Sequence, residues 1–421
     1  MRFNESKFNE HWQDKKLSEL GDFQRGKSRH RPRNDPALFA GGTYPLIQTG
    51  EIKAANLYIS KNSATYNDFG LAQSKMWPKN TLCITIAANI AETALLGYPM
   101  CFPDSVVGFN AYQDESSELF MHYVFTYIRS AIQNSATGSI QDNINIEYLT
   151  NLKFKIPLKK DQEKIVDVLC VLDQKIDCNN RINEELESLA KFLYDYWFVQ
   201  FDFPNANGNP YKSSGGKMVY NATLKREIPE GWLQSTIGET FKTYLGGTPS
   251  RDNDEYWMPG EINWLSSGEN PNIFVIAPDE KISKTGLQNS PAKLLPQGSV
   301  ILSIVRHLRV SILAIEAATN QSVVGIMETD KLKHCFIYSY LVREIPRLMA
   351  LRTGAQQPHI NKGILDESLL VIPDDATLNS YTKQAAPLFL QIKTNIQQNQ
   401  QLAQLRDWLL PMLMNGQVTV S

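Results

Sequence analysis

The sequence is poor in the residues that usually announce chemistry. Its five cysteines, Cys83, Cys101, Cys170, Cys178 and Cys335, form no CxxC pair. That spacing excludes the common zinc ribbons and offers no disulfide framework, so reduced thiols in a cytoplasmic protein are expected. No run approaches the roughly 18 apolar residues that span a bilayer, which speaks against a membrane partner. Met1–Trp12 is polar and lacks the apolar core of a secretory leader. Charge of either sign is not in excess: 42 Lys and Arg stand against 44 Asp and Glu, a net charge of −2. This argues against nonspecific coating of nucleic acid by the whole chain but does not exclude a local basic face. GxSxG, HExxH and GxGxxG are all missing. The six histidines, His11, His30, His122, His307, His334 and His359, are scattered and suggest no base or metal ligand.

What the chain has is itself, twice. A length of 421 residues implies two or three domains. Shifted by 216 positions, Leu172 falls on Leu388, Ile176 on Ile392, Leu186 on Leu402, Leu189 on Leu405 and Leu193 on Leu409. The three-and-four spacing of these residues is that of an amphipathic helix, and they are the expected packing positions of two long helices. Asn183 and Asn399 fall within the stripe, either as a polar layer that sets register or just beside the seam. Upstream, Trp12 matches Trp232 and Gly26 matches Gly246 (220 apart), and Ser105-Val-Val-Gly108 returns as Ser322-Val-Val-Gly325 (217 apart). Gly138, Gln141, Ile144, Asn145 and Pro157 match Gly354, Gln357, Ile360, Asn361 and Pro373 (216 apart). Drift of the offset by single residues is the mark of loop indels in a duplicated domain, and two copies make a pseudo-twofold pair rather than a solenoid. The expected plan is a domain over 1–157, a first long helix over 158–203, and a flexible linker over 204–218. A second domain over 219–373 and a second long helix over 374–416 complete it.

One motif tempts toward a nucleotide. Gly21-x-x-x-x-Gly26-Lys27-Ser28 satisfies GxxxxGK[ST]. Such a loop needs a buried strand before it and a helix after it. Here the preceding residues are polar, Pro32 and Pro36 stand where the helix should run, and Lys27 becomes Gly247 in the second copy. The pattern reads as a glycine turn on a basic loop. The basic residues themselves recur in both copies. Arg25, Lys27, Arg29, Arg31 and Arg33 crowd the first loop. Arg251 follows the equivalent turn Gly246-Gly-Thr-Pro-Ser250, and Arg306-His307-Leu-Arg309 interrupts a β-rich run. Arginine and lysine meet phosphates, and arginine also reads guanine edges. Gln48, Thr49, Ser266, Ser267, Gln356, Gln357 and His359 are expected at loop tips, where their side chains would hydrogen-bond bases. Together these are the candidate DNA-contacting residues. No residue is assigned a catalytic or metal-binding role.

The sequence resembles the specificity (S) subunits of Type I restriction–modification systems over nearly its whole length. The resemblance rests on Gly231-Trp232 leading to Ile237-Gly-Glu239, on Gly246-Gly-Thr-Pro-Ser250, Tyr256-Trp257, Ile262-x-Trp264 and Ser267-Gly-Glu269. It continues through Ile282-x-x-x-Gly286, Leu295-Pro-x-Gly298, Thr319-Asn-Gln-Ser322 and Ile360-Asn361, and each half closes on Ile-Pro before its helix. Asp173–Trp197 resembles the spacer helix of the family. The first half departs more: Lys27-Ser28-Arg29 replaces Gly-Thr-Pro, and Asp104 stands where Gln321 does.

The resemblance implies a mixed α/β (α+β) fold with two pseudo-twofold-related target-recognition domains. Two long antiparallel, coiled-coil-like helices would separate them. It implies a noncatalytic subunit whose domains each read one half of a bipartite site in double-stranded DNA, with methyltransferase (M) and restriction (R) subunits as partners. S-adenosylmethionine would sit on the methyltransferase, and ATP and magnesium on the restriction subunit; this chain would bind no cofactor. Two other readings compete: a coiled-coil scaffold with ordinary basic loops, and a subunit of a methylation-only or orphan system.

Overall fold

The computed structural model describes residues 2–87, 89–137, 144–268, 272–354 and 359–420. Gly138, Gln141 and Gln357 of the repeat lie outside them. Contacts divide the chain into two compact units, Met1–Cys178 with Gln398–Ser421, and Asn179–Gln397. This is not the division expected from the sequence. Each unit takes one domain together with half of each long helix, because helix and domain share one apolar core.

In the first unit the central sheet has five strands in the order Gly21–Arg25, Val106–Ala111, Leu82–Thr85, Thr93–Leu96 and Tyr58–Ile59. The first three pairings are antiparallel and the last is parallel. Side chains alternate between faces, as a period of two requires. Leu82, Ile84, Leu95, Val107 and Phe109 enter the core shared with the helix Glu118–Thr137, through Phe120, Val124 and Phe125. Cys83, Ala94, Leu96 and Val106 enter a second core with Trp77 and Phe102. Burial on both faces explains why these strands read as continuous apolar runs.

The second unit repeats the plan. Its strands run Thr243–Leu245, Val323–Ile326, Val300–Ser303, Arg309–Leu313 and Phe274–Val275, with the same three antiparallel pairings and one parallel pairing. Even the register is kept: Val107 faces Arg25 in one unit and Val324 faces Leu245 in the other. The repeated Ser-Val-Val-Gly now has a reason. A Cβ on Gly108 would lie 2.7 Å from the Trp77 ring, and one on Gly325 would lie 2.3 Å from Leu295. The repeated Ile-Asn has one too. Asn145 and Asn361 each cap a short helix, accepting a hydrogen bond from the backbone of Tyr148 and Ile364 respectively.

The long helices span Lys159–Tyr194, continued by a π-helical turn over Asp195–Val199, and Asp375–Met414. A rise of ~1.5 Å per residue makes them roughly 54 and 60 Å long. Within each unit their segments run antiparallel. In the second, the Nδ2 of Asn395 donates to Asn183 Oδ1 at 2.8 Å, and the rings of Tyr194 and Tyr381 meet at 6.3 Å. In the first, Arg406 meets Asp173, and Lys164 reaches the carbonyl of Val420 at 3.2 Å. Asn183 is thus a seam residue, paired with Asn395. No described helix is long and apolar enough to cross a membrane.

Two packing expectations need correction. Ile176 and Ile392 are buried, and Leu172, Leu186, Leu193, Leu388, Leu402 and Leu409 are half-buried, but Leu189 and Leu405 are 50% and 42% exposed. The buried face at this level follows Leu186, Ala190, Tyr194 and Trp197. Leu189 lies about 100° around the helix from Ala190 and so points to solvent. The segment 204–218, composed like a flexible linker, is folded. Its turns close through Gly208 to Asn205 and Gly216 to Tyr211 backbone bonds, and Phe203 stacks between Tyr211 at 4.6 Å and Trp232 at 4.9 Å. Two aromatic anchors outweigh the conformational freedom of the Gly, Asn and Ser between them.

Candidate nucleic-acid interface

In the first unit the edge strand Gly21–Arg25 runs into the basic loop, and no helix follows. The phosphate-loop geometry is therefore absent from this segment. The loop is tied from below instead. Gln73 accepts from the backbone N–H groups of Arg29 at 2.7 Å and His30 at 3.1 Å, and Ser74 donates to the carbonyl of Lys27 at 3.0 Å. His30 is 2.8 Å from Asp35, whose carboxyl sits below the usual range because Ala37 N–H and then His30 bond to it.

Around this loop Asp104 gathers three arginines. Its carboxylate lies 2.6 Å from Arg33 Nη2 and 3.6 Å from Arg31 Nη2, while Arg25 Nε donates to its backbone carbonyl. Arg31 also donates from Nη1 to the carbonyls of Ser28 and His30. Lys27 and Arg29 project into solvent from the same loop. Gln48 and Thr49 begin a separate short helix, Thr49–Ala54, where Gln48 N–H donates to Glu51. That stretch is a strand followed by a helix, so Gln48 and Thr49 stand at a helix start and not at the loop tip expected of them.

In the second unit the turn Gly246–Ser250 is pinned by two indoles: Trp264 Nε1 donates to the carbonyl of Gly247 at 3.0 Å and Trp257 Nε1 to that of Ser250 at 2.9 Å. Gln321 accepts from the hydroxyl of Thr248. Arg251 lies over the Trp257 ring at 3.6 Å and pairs with Glu280 at 2.6 Å. Ser266 and Ser267 follow the strand Ile262–Leu265 that carries Trp264. A second basic group forms on the hairpin between Val300–Ser303 and Arg309–Leu313. There Arg306 takes a left-handed backbone (φ 60°), and Arg306, His307 and Arg309 are exposed. Arg352 Nη1 donates to the Arg306 carbonyl at 2.9 Å, and Val305 and His359 form a backbone bridge. Gln356 and Gln357 lie outside the described residues.

The structure thus makes three local groups of the expected residues: Arg25, Arg31 and Arg33 on Asp104; Arg251 on its tryptophans; and Arg306, His307 and Arg309 on a hairpin that His359 joins through a bridge to Val305. Asp104, Glu280, Trp257 and Arg352 hold these residues in place and were not among the expected ones. The substitution of Asp104 for Gln321 was a visible signal for the first; nothing in the chain near Glu280 marks it as the partner of Arg251.

Both units also leave apolar side chains outside their cores at matching places on the long helices. Leu189 and Phe192 are 50% and 63% exposed in one unit, and their counterparts 216 positions on, Leu405 and Trp408, are 42% and 63% exposed in the other.

A family model described as the Type I restriction modification DNA specificity domain matches residues 9–188 and again 229–403. The Type I restriction enzyme MjaIX specificity subunit of Methanocaldococcus jannaschii is 24% identical over 422 residues, covering 97% of this chain and 94% of that protein. The Type I restriction enzyme HindI specificity subunit of Haemophilus influenzae is 23% identical over 338 residues, 68% and 73% of the two chains. A solved structure of a Type I restriction–modification S subunit from M. genitalium matches with a TM-score of 0.58 over 98% of this chain and 99% of that one. Identity there is 16%, so the likeness is one of fold.

Proposed function

Because the chain belongs to the Type I restriction modification DNA specificity family, we propose that it is the noncatalytic subunit that selects the DNA sequence for a Type I restriction–modification complex. Each unit reads one half of a bipartite site, and the long helices set the unspecified gap. The observation that carries this reading is the duplicated domain itself. Two sheets of identical strand order and register present loops of different sequence, so each half has one scaffold and its own readout. The basic groups at Arg25–Arg33, Arg251 and Arg306–Arg309 are the proposed contacts to phosphates and base edges.

Methyltransferase subunits are the proposed protein partners at the exposed helix positions. Leu189 with Phe192, and Leu405 with Trp408, are equivalent apolar pairs, which suits two copies of one partner. Restriction subunits would join through that complex. S-adenosylmethionine belongs in this scheme to the methyltransferase and ATP with magnesium to the restriction subunit, with no cofactor on this chain.

Genomic DNA from cells expressing the chain with its methyltransferase, sequenced for N6-methyladenine, tests the reading. A split motif with two short specified ends and a constant gap is the expected result. A complex that forms and binds S-adenosylmethionine yet leaves no methylated motif would overturn it.

A further inference from the structure

Arg31 and Arg251 occupy equivalent positions after the turn, 220 residues apart, and each is tied to a carboxylate. The two carboxylates come from different places in the fold. Asp104 sits in the loop before Val106–Ala111, while Glu280 opens the strand Glu280–Ile282 of a smaller sheet. Gln321, the counterpart of Asp104, holds Thr248 instead. The duplication therefore did not hand Arg251 its partner; another strand supplies it. These pairs are exposed, with arginine side chains 51–55% and carboxylates 29–37% accessible. Ion pairs so placed contribute little to folding. Their recurrence from unrelated positions calls for a reason outside stability.

We propose that Asp104 and Glu280 are specificity-determining residues that act by charge compensation on the arginines of the reading loops. The inference rests on the DNA-recognition function proposed above. Nonspecific binding to duplex DNA comes almost wholly from phosphates neutralised by free Lys and Arg. A guanidinium held by a carboxylate exerts less of that pull, and a phosphate approaching it also meets the carboxylate. A guanidinium has five N–H donors, and a carboxylate occupies only some of them. On Arg33 and Arg251 the rest are left for a matching base edge or a well-placed phosphate, whereas Nη1 of Arg31 already donates to the carbonyls of Ser28 and His30. Arg251 is held doubly, since its stacking on Trp257 at 3.6 Å keeps the guanidinium plane in place when Glu280 is drawn away. The carboxylates thus penalise arbitrary DNA more than the correct site, which is discrimination by a repulsive element. The absence of net positive charge in the chain works in the same direction.

The test uses the assembled complex of this chain with its methyltransferase. Asp104→Asn, Glu280→Gln and the double variant are compared with Asp104→Glu and with Glu230→Gln. The last removes an equal charge at the exposed Lys217–Glu230 pair, which includes none of the loop arginines. Binding to a random-sequence duplex and to one bearing the methylated site is measured across about 50 to 200 mM salt. Asp104→Asn and Glu280→Gln are expected each to raise random-duplex affinity several-fold and to steepen the log–log salt slope by about one. Target affinity should rise less, so discrimination falls, while Asp104→Glu and Glu230→Gln leave it unchanged. Random-duplex binding that stays level or weakens overturns the proposal, as does an equal gain on both duplexes or an equal effect of Glu230→Gln. A wild-type complex with no preference for the methylated site would sink the recognition function instead, and the random-duplex arm would still decide whether the carboxylates compensate the arginines.

Discussion

Arg406 Nη1 meets Asp173 Oδ1 at 2.7 Å, joining residues 233 positions apart, and the Asp173 side chain is 1% exposed. Tyr123 donates its hydroxyl to the other carboxylate oxygen at 2.7 Å, and Asn56 donates to the Asp173 backbone carbonyl. A polar cavity of about 150 Å³ lies alongside, lined by Asn56, Glu92, His122 and Arg129 among others. The same place in the second unit is apolar. Moved 216 positions, Asp173 becomes Phe389 and Arg406 becomes Ala190, and both are buried in the core. At this layer one seam is thus ionic and its duplicate hydrophobic. A half-helix from the wrong copy would set Asp173 against Ala190 or Arg406 against Phe389, leaving a charge without its partner in either case, so the difference also disfavours mispairing of the two halves.

The first prediction follows from that contrast. Arg406→Ala strands the buried Asp173 carboxylate and should cost on the order of 3–5 kcal/mol, while Asp173→Phe should cost less, because Arg406 is 20% exposed and keeps Asp407 at 2.9 Å. The double variant Asp173→Phe/Arg406→Ala copies the second unit and should recover most of the loss. Urea unfolding of the full chain measures both; a double variant as unstable as the sum of the singles would refute the exchange.

His122 sets a pH dependence. Burial, with the charges of Arg129 and Arg406, lowers its pKa from 6.5 to about 3, and its Nδ1 lies 3.0 Å from the Thr93 hydroxyl. The unfolded chain therefore binds a proton on this residue below its unfolded pKa while the folded chain does not. The stability associated with neutral His122 is fully present above pH ~6.5 and falls by about 1.4 kcal/mol per unit as pH drops toward the folded value. His122→Gln should flatten this acid-side loss relative to wild type in unfolding measured at pH 7 and pH 5. Parallel curves for the two proteins would show that His122 does not titrate between the folded and unfolded states.

The exposed helix pairs predict stoichiometry. Phe192→Asp and Trp408→Asp change solvent-facing positions and should leave the melting temperature within a few degrees. Each should remove one methyltransferase from the complex, taking the mass from two copies to one, and the double variant should bind none. Native mass spectrometry reads this directly, and two copies retained in both single variants would place the partner elsewhere.

The helices predict a gap. Deleting seven residues from each removes about 10 Å of rise, close to three base pairs. Methylome sequencing should show both specified ends unchanged and the unspecified stretch shortened. An unchanged gap would end the idea that the helices set it.

Much of this was legible in the chain because duplication prints a structure twice. Trp12 with Trp232, Gly108 with Gly325 and Asn145 with Asn361 each mark a contact that both units keep: a packed indole, a strand with no room for a Cβ, and a helix cap. The helix stripe was legible through its period. Its limits were not, since Leu189 and Ala190 differ by one position and only the packed partner decides which faces inward. The GxxxxGKS pattern could be discounted from Pro32 and Pro36, and the structure places a strand and an irregular loop there. The pairing of Arg251 with Glu280 left no trace in the sequence, because a surface ion pair between segments 29 positions apart imposes no period and no motif.

By itself, then, the sequence determined that there are two equivalent mixed α/β halves, each closed by Ile-Pro and followed by a long helix. Periodicity and repetition are properties of residue order, and backbone geometry turns them into strands and helices locally. Tertiary structure alone decided which half-helix belongs to which core, that one layer of the seam is ionic in the first unit and apolar in the second, and which carboxylates hold the arginines. Those outcomes depend on side chains far apart in the chain meeting in a low-dielectric core or on a crowded loop, and their energies exist only once the fold has brought them together.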